Sequence, residues 1–221
     1  MIQSNSPYAL STSLDRRGAA ARGCLIGVAA VLLLALALGG CVAGRYNALQ
    51  DGRTTVEGQL SELDNQYKRR TDLVDNLVAT VKGAADFEAG TLKELTEARA
   101  SVGSIKIDAS ALEDPALVKQ YLDAQQNMGG ALSRLLAVAE NYPQLQATQA
   151  FRDLMVQLEG TENRIAVARG DWITSIRDYN ATLRKFPGNV IGGMFNFEEF
   201  EQYEAETQER DTPVVDFGGG E

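Results

Sequence analysis

The sequence predicts an all-α protein: an antiparallel up-and-down bundle of four helices, two of them long, behind an N-terminal membrane anchor. Three observations predict it. An uncharged apolar run lies between Arg22 and Arg45, apolar residues then recur at steps of three and four as far as Phe186, and no strand-period alternation of any length interrupts them. Composition sets the outer bounds. The 221 residues are 44% apolar and 23% charged, a globular composition, and 21 Lys+Arg against 30 Asp+Glu leave a net charge of −9. That balance argues against nucleic acid as a partner, since such a binder needs a basic face to displace counterions from phosphate. Histidine is absent. Its absence excludes Ser-His-Asp and Cys-His nucleophilic sites, His-based zinc sites and the Glu-x-x-His pairs of di-iron bundles.

The first element is the anchor. A basic tail, residues 1–23 with Arg16, Arg17 and Arg22, precedes an apolar stretch over residues 24–43, from Cys24 through Leu25, Ile26, Val28, Val31, Leu32, Leu33, Leu34, Leu36 and Leu38 to Val42 and Ala43. About 20 residues span about 30 Å as a helix, the hydrocarbon thickness of a bilayer. A buried core helix is the plain alternative, but a domain of this size rarely hides a helix that is apolar on every side. The stretch reads equally as a bacterial signal peptide. It ends Leu38-Gly39-Gly40-Cys41, which resembles the lipobox of lipoprotein precursors, and makes Cys41 the candidate lipidation site. Both readings stand at this point: an uncleaved transmembrane helix, or a lipoprotein signal segment. Residues 1–44 carry a net charge of +2, leaving 18 basic and 29 acidic residues beyond them. Basic flanks stay inside, so the folded domain is expected on the non-cytoplasmic side of a bacterial cell membrane. The two cysteines, Cys24 and Cys41, both lie in the apolar run. The domain that follows has no disulfide and must be held by its core.

Helices then follow in order. From Tyr46 the stripe runs through Leu49, Val56, Leu60, Leu63, Tyr67, Val74, Leu77 and Val81, with Arg53 and Arg70 on the same stripe. This is a coiled-coil-like seam, and one continuous rod leads into it from the apolar run if no cleavage occurs. Gly83 and Ala84-Ala85-Asp86 mark a break. A second helix is expected over 88–103 with Leu92, Leu95, Ala98 and Val102 inward, and a loop at Asp108-Ala109-Ser110. Asp114-Pro115 starts the third, an N-cap acceptor followed by proline at the first helical position. Its stripe is Leu117, Tyr121, Ala124, Met128, Ala131, Leu135, Val138 and Tyr142, ending at Tyr142-Pro143. The fourth runs over 148–185 on Phe151, Leu154, Leu158, Ile165, Ala168, Trp172, Ile176, Tyr179, Leu183 and Phe186, and Phe186-Pro187-Gly188-Asn189 ends it.

Polar clusters invite functional readings. Glu159 and Glu162, like Glu94 and Glu97, form E-x-x-E pairs, but carboxylate metal bundles add histidines, and here none exist. Lys68, Arg69, Arg70 and Asp72 could hold an anion; on a helix such a mixture is more often a salt-bridged, solvated face, and Arg164 and Arg169 look similar. Gly129-Gly130 sits inside a helical pattern rather than in a phosphate loop, which points to close helix packing. No catalytic residue, cofactor or metal site is expected, and the chain is read as no enzyme. A bundle-borne hydrolase, metal- or carboxylate-dependent, is the alternative. Convergent carboxylates in a cavity would favour it, and an apolar seam without inward polar groups would favour an adaptor.

The residues also carry a family resemblance. Tyr46-Asn47-x-Leu49, Leu63-Asp64-x-Gln66-x-Lys68-Arg69-Arg70, Asn76-Leu77-Val78, Thr96-Glu97-Ala98-Arg99, Leu132-Ser133-Arg134-Leu135, Leu158-Glu159-Gly160-Thr161-Glu162-Asn163-Arg164-Ile165-Ala166, Asp178-Tyr179-Asn180 and Phe186-Pro187-Gly188-Asn189 together resemble LemA proteins. The resemblance implies a membrane segment followed by a four-helix up-and-down bundle, a membrane-associated scaffolding role and no catalytic residues to carry over. The layout expected is therefore a tail over 1–23, the anchor over 24–43, a LemA-like bundle over 45–188 and an acidic, aromatic tail over 189–221. Its partners are the membrane and an unidentified protein. In that last segment Val190, Ile191, Met194, Phe195, Phe197, Phe200 and Tyr203 are a dense apolar set, followed by Val214, Val215 and Phe217. They are expected either to strap back over the bundle or to dock a partner, the strap being preferred.

Overall fold

The computed structural model describes residues 13–83, 87–107 and 109–203. Ala84-Ala85-Asp86, Asp108 and the second apolar group at Val214, Val215 and Phe217 lie outside them, as do the side chains of Arg16, Arg17, Arg22, Cys24 and Ile26. The described residues are helical almost throughout: α1 (Ser13–Lys82), α2 (Ala89–Gly103), a 3-10 turn (Ala109–Glu113), α3 (Pro115–Ala139), α4 (Pro143–Gln146), α5 (Gln149–Arg184) and α6 (Gly188–Phe195). The chain divides into two compact units, Met1–Ala48 and Leu49–Glu221, and the division falls inside α1.

In the first unit the apolar run has no buried face. Leu25 is 70% exposed and Leu36 73%, and Val28, Val31, Leu32, Leu33 and Leu34 are open as well. The stretch is long and apolar enough to cross a membrane. It is not a core helix.

In the second unit burial begins at Leu49 and follows the stripe. Leu49, Val56, Leu63, Tyr67, Val74, Leu77 and Val81 are all fully buried, against Tyr121, Met128 and Leu135 of α3 and Leu158, Trp172 and Ile176 of α5 in one core. Caps set the helix starts. The Asp114 carboxylate accepts from the amides of Ala116 and Leu117 at 3.1 Å, and the Thr148 hydroxyl accepts from that of Phe151 at 3.3 Å. Cross-helix pairs give the register. Arg53 meets Glu113, Asp64 meets Tyr121 and Arg70 meets Gln125, so numbers rise together along α1 and α3. Against α5 they fall: Gly52 faces Tyr179, Tyr67 meets Arg169 and Arg70 meets Glu162.

Several expectations change. Where the sequence reading expected four helices, six α-helices and a 3-10 turn occupy the described residues. The third expected helix stops at Ala139, and Tyr142-Pro143 instead opens the single turn α4, with Tyr142 as its N-cap. Part of the loop expected around residues 108–110 is the 3-10 turn. Phe186, placed inward from its stripe, is 80% exposed, because α5 ends at Arg184 and the chain turns through Pro187 into α6.

Candidate functional site

Polar residues converge in the middle of the second unit. Arg70, on the buried stripe of α1, is 4% exposed, and its guanidinium is shared between two helices. Nη2 donates to the backbone carbonyl of Gln125 at 2.8 Å and to Gln125 Oε1 at 2.7 Å, while Nη1 donates to the Glu162 carboxylate at 3.1 Å. The guanidinium carbon stands 5.2 Å from the centre of the Tyr67 ring, within cation–π range. Gly129 gives it room, since a Cβ there would lie 3.4 Å from Nη1. Of the double glycine of α3, Gly129 thus faces this arginine rather than another helix backbone, while Gly130 lies by Arg134 of its own helix.

Tyr67 extends the network. Its hydroxyl accepts from Arg169 of α5 at 2.6 Å, and its ring meets Tyr121 edge-on at 5.7 Å. Tyr121 donates to the Asp64 carboxylate at 2.7 Å, and Lys68 pairs with the same carboxylate at 2.5 Å. Burial first, and Asp64 second, push the Tyr121 phenol far above its ordinary value. Its hydroxyl proton is held in the bond to the Asp64 carboxylate. Among the described residues the buried Nε of Arg70 and of Arg169 and the indole nitrogen of Trp172 have no hydrogen-bond partner.

The candidate clusters separate on inspection. Of Lys68, Arg69 and Arg70, only the last turns inward; Lys68 holds Asp64, Arg69 reaches Gln157 at 3.5 Å, and Asp72 is exposed. The expectation of a solvated face fails for Arg70, whose stripe position draws it into the core. The E-x-x-E pairs do not converge either. Glu162 holds Arg70 while Glu159 is exposed; Glu94 pairs with Arg134 across to α3, and Glu97 with Lys93 at 3.6 Å. Arg164 is exposed, and Cys41 is exposed with a free thiol. Among the described residues no group of three or more His, Cys, Asp or Glu could hold a metal ion. Two open surface depressions stand apart from the network. One of about 490 Å³ is lined by Asp123, Asn127 and Arg134, and one of about 330 Å³ by Gly52, Asp171, Ser175 and Asp178.

A second polar cluster holds the C-terminal segment. Asn180, 1% exposed, donates from Nδ2 to the carbonyl of Phe200 at 2.8 Å and accepts from its amide at 3.1 Å. Tyr179 donates to the carbonyl of Glu198 at 3.0 Å, and Arg184 grips Glu199 with two bonds, the shorter 2.5 Å. The Tyr203 ring stacks on Trp172 at 5.1 Å, and Phe200 lies 4.9 Å from Tyr179. Residues 197–203 are therefore a strap over α5. Burial, then the Glu201 and Asp114 carboxylates, push the Tyr203 phenol up to about 12. Burial also raises Tyr179, with nearby Arg53 opposing it.

Sequence reasoning gave no role to Gln125, Asn180 or Asp64, although the last two stand in motifs of the family resemblance. The signal for Gln125 is its spacing, since it stands four residues after Tyr121 on the face that also buries Met128 and Leu132. A polar residue inside an apolar stripe needs a partner. For Asn180 no sequence signal distinguishes a strap clamp from an ordinary helical asparagine.

Fold and site together define a helical protein with an apolar N-terminal helix and a core crossed by a buried arginine bonded to two other helices. The chain belongs to the LemA family, whose pattern matches residues 59–217. It is similar to the magnetosome protein MamQ 2 of Paramagnetospirillum magneticum, 28% identical over 189 residues, spanning 77% of this chain and 68% of the relative. The magnetosome protein MamQ of Magnetospirillum gryphiswaldense is 27% identical over 187 residues, with the same two shares. Protein LemA of Metamycoplasma hominis is 23% identical over 172 residues, 76% of this chain and 74% of the relative.

Proposed function

We propose that the chain is a membrane-anchored helical scaffold that presents its folded unit to a protein partner and catalyses no reaction. The carrying observation is the contrast of exposure along α1. From Val28 to Val42 the large apolar side chains stand open, as does Leu25, whereas from Leu49 onward one stripe is sealed in a core. Only the second stretch has found its apolar surroundings within the chain, so lipid is the natural solvent for the first.

In this reading residues 1–23 are a basic tail on the cytoplasmic side, 24–43 the anchor, 45–188 the bundle and 189–221 an acidic, aromatic tail. The bundle is an up-and-down assembly of the Leu49–Lys82 part of α1 with α2, α3 and α5, joined by coiled-coil-like seams. Numbers rising along α1 and α3 and falling against α5 support it. The carboxylates a hydrolase would need are engaged, Asp64 by Lys68 and Tyr121 and Glu162 by Arg70, which favours a scaffold over a reaction centre. The inward polar groups form a cross-link between helices. The printed names of the relatives place two of them with the magnetosome and name no reaction.

Cys41 is the lipidation site if the signal segment is processed in a bacterial envelope. Metabolic labelling with a palmitate analogue tests this: label is lost in Cys41→Ser, while an unlabelled chain that keeps its full N-terminus leaves the transmembrane helix as the anchor. Washing membranes in alkaline carbonate tests the anchor itself. The chain stays with lipid, deletion of residues 24–43 releases it, and release of the intact chain overturns the reading. Protease added outside whole spheroplasts cleaves the folded unit if it is non-cytoplasmic.

A further inference from the structure

Among the described residues of the second unit, most exposed large apolar side chains gather at one place, around α6. Phe186, just before the helix, is 80% exposed, and Val190 at 51% and Met194 at 68% stand four apart on one side of α6. Val156 and Val167 of α5 are exposed too, but singly, as is ordinary for a protein surface. The packing of α6 explains why its large residues face out. Its inward side is Gly188, Ile191 and Gly192. A Cβ on Gly188 would strike the Thr182 carbonyl, and one on Gly192 would strike the Leu183 side chain. The helix therefore lies tight on α5 through its glycines and turns valine and methionine outward, the reverse of a helix built to face water. The arrangement is also held. Phe197 donates its amide to the Gly192 carbonyl at 2.9 Å, Asn196 takes the left-handed conformation that closes the helix, and the strap clamped by Asn180 follows directly.

Position and charge say what covers this face. Leu183, against which α6 packs, is one turn beyond Tyr179, and Tyr179 touches Gly52, three residues after the second unit begins at Leu49. The patch thus lies at the end of the unit where its chain begins. Ala43, the last residue of the apolar run, is six residues before Leu49 in the sequence. Covalent geometry limits that tether to about 20 Å whatever its conformation. From Phe186 through Phe197 there is no charged residue, in a chain whose net charge is −9, and Arg184 and Lys185 come just before. An uncharged apolar face, bordered by Arg184 and Lys185 before it and by Glu198 and Glu199 after it, with Arg184 neutralised by Glu199, and joined by so short a tether to a bilayer-spanning segment, matches the interfacial layer of that bilayer.

We propose that α6 is a membrane-docking element: Phe186, Val190 and Met194 insert into the lipid interface beside the anchor and so set how the folded unit stands on the membrane. This rests on the membrane-anchor reading above and adds a second, non-covalent contact to it.

The test uses the full chain reconstituted in phosphatidylcholine vesicles, with and without lipid brominated high on the acyl chains. Trp172 is the single tryptophan and is fully buried, so the unaltered chain serves as the reference. Met194→Trp, and separately Val190→Trp, place an indole on the exposed face. An interfacial depth of about 5–10 Å brings that indole within reach of the bromines, and about half of its added emission is lost while the reference is unchanged. Three results overturn the proposal: added emission that bromolipid leaves intact and aqueous acrylamide quenches, added emission shielded from both (a protein surface such as a second copy covers the face), or equal quenching in variants and reference. Flotation of the same vesicles separates the two readings. A chain that floats with an unquenched indole refutes α6 docking alone, and a chain that does not float refutes the anchor and this inference together.

Discussion

Arg70 and Arg53 occupy the same stripe of α1, and the two layers they define behave differently. In the middle layer the Arg70 side chain is 5% exposed, stacked on Tyr67, and spends its donors on a buried glutamine and on Glu162. Near the start of the unit the Arg53 side chain is 34% exposed and is paired with Glu57 at 3.0 Å and Glu113 at 2.7 Å, the latter 67% exposed. Both arginines are held by hydrogen bonds, and the bonds to Glu113 and Glu57 raise Arg53 above its ordinary value. Surroundings, not partner number, decide what each contributes. Water can take over the partners of Arg53, whereas around Arg70 little water can reach a broken bond.

The widest gap between the layers is expected from Gln125→Leu. It leaves the guanidinium buried with the Gln125 carbonyl and Glu162 alone, and should cost about 3 kcal/mol in urea unfolding, since an under-paired buried charge is expensive. A cost below that of an exposed pair would collapse the distinction. Asn180→Ala comes next. It removes a donor and an acceptor from the Phe200 main chain, with an expected loss of about 1–3 kcal/mol and faster proteolysis of the strap. An unchanged cleavage rate would mean that the ring contacts of Tyr203 and Phe200, with the Tyr179–Glu198 and Arg184–Glu199 bonds, hold the strap without the clamp. Arg53→Ala should cost less than about 1 kcal/mol and become silent in high salt.

The smallest effect at neutral pH is that of Tyr203→Phe, and it grows only in alkali. The folded phenol titrates near 12 against 10 for the unfolded chain, so its proton is held more tightly in the native state. That contribution is complete below pH 10 and is lost as pH rises from about 10 to about 12. Tyr121 and Tyr179 shift in the same direction, so the thermal midpoint should fall across this interval in both proteins, less steeply in Tyr203→Phe.

Helix periodicity was legible wherever the stripe was apolar and long. Leu49 through Val81 and Phe151 through Leu183 fall inside as their spacing predicts, and Asp114-Pro115 announces α3 through capping chemistry alone. Legibility failed where short range no longer decides. Phe186 continues the α5 stripe by number, but the proline and glycine after it redirect the backbone, and periodicity carries no information about that turn. Single turns such as α4 are too short to show a period. Arg70 was visible as a stripe residue, yet its burial depends on Gln125, Glu162 and the open space over Gly129, all at least 55 residues away along the chain. The strap was the preferred reading of the tail, and its aromatic residues do return to Trp172 and Tyr179. The same segment keeps Val190 and Met194 outward, a division that composition cannot draw.

The Asn180 clamp reads main chain, not side chain, and this makes the tolerance of the two positions it joins lopsided. At residue 200 the bonded atoms are an amide and a carbonyl that nineteen of the twenty amino acids would supply, so leucine or tyrosine should serve there almost as well as phenylalanine. At residue 180 the demand is for one donor and one acceptor on a single short side chain. An aspartate in that place would be isosteric yet would set a carboxylate oxygen against the Phe200 carbonyl, so Asn180→Asp should loosen the strap more than Asn180→Ala does. This contact leaves the side chain of residue 200 to its ring contact with Tyr179, while the fastening itself depends on residue 180.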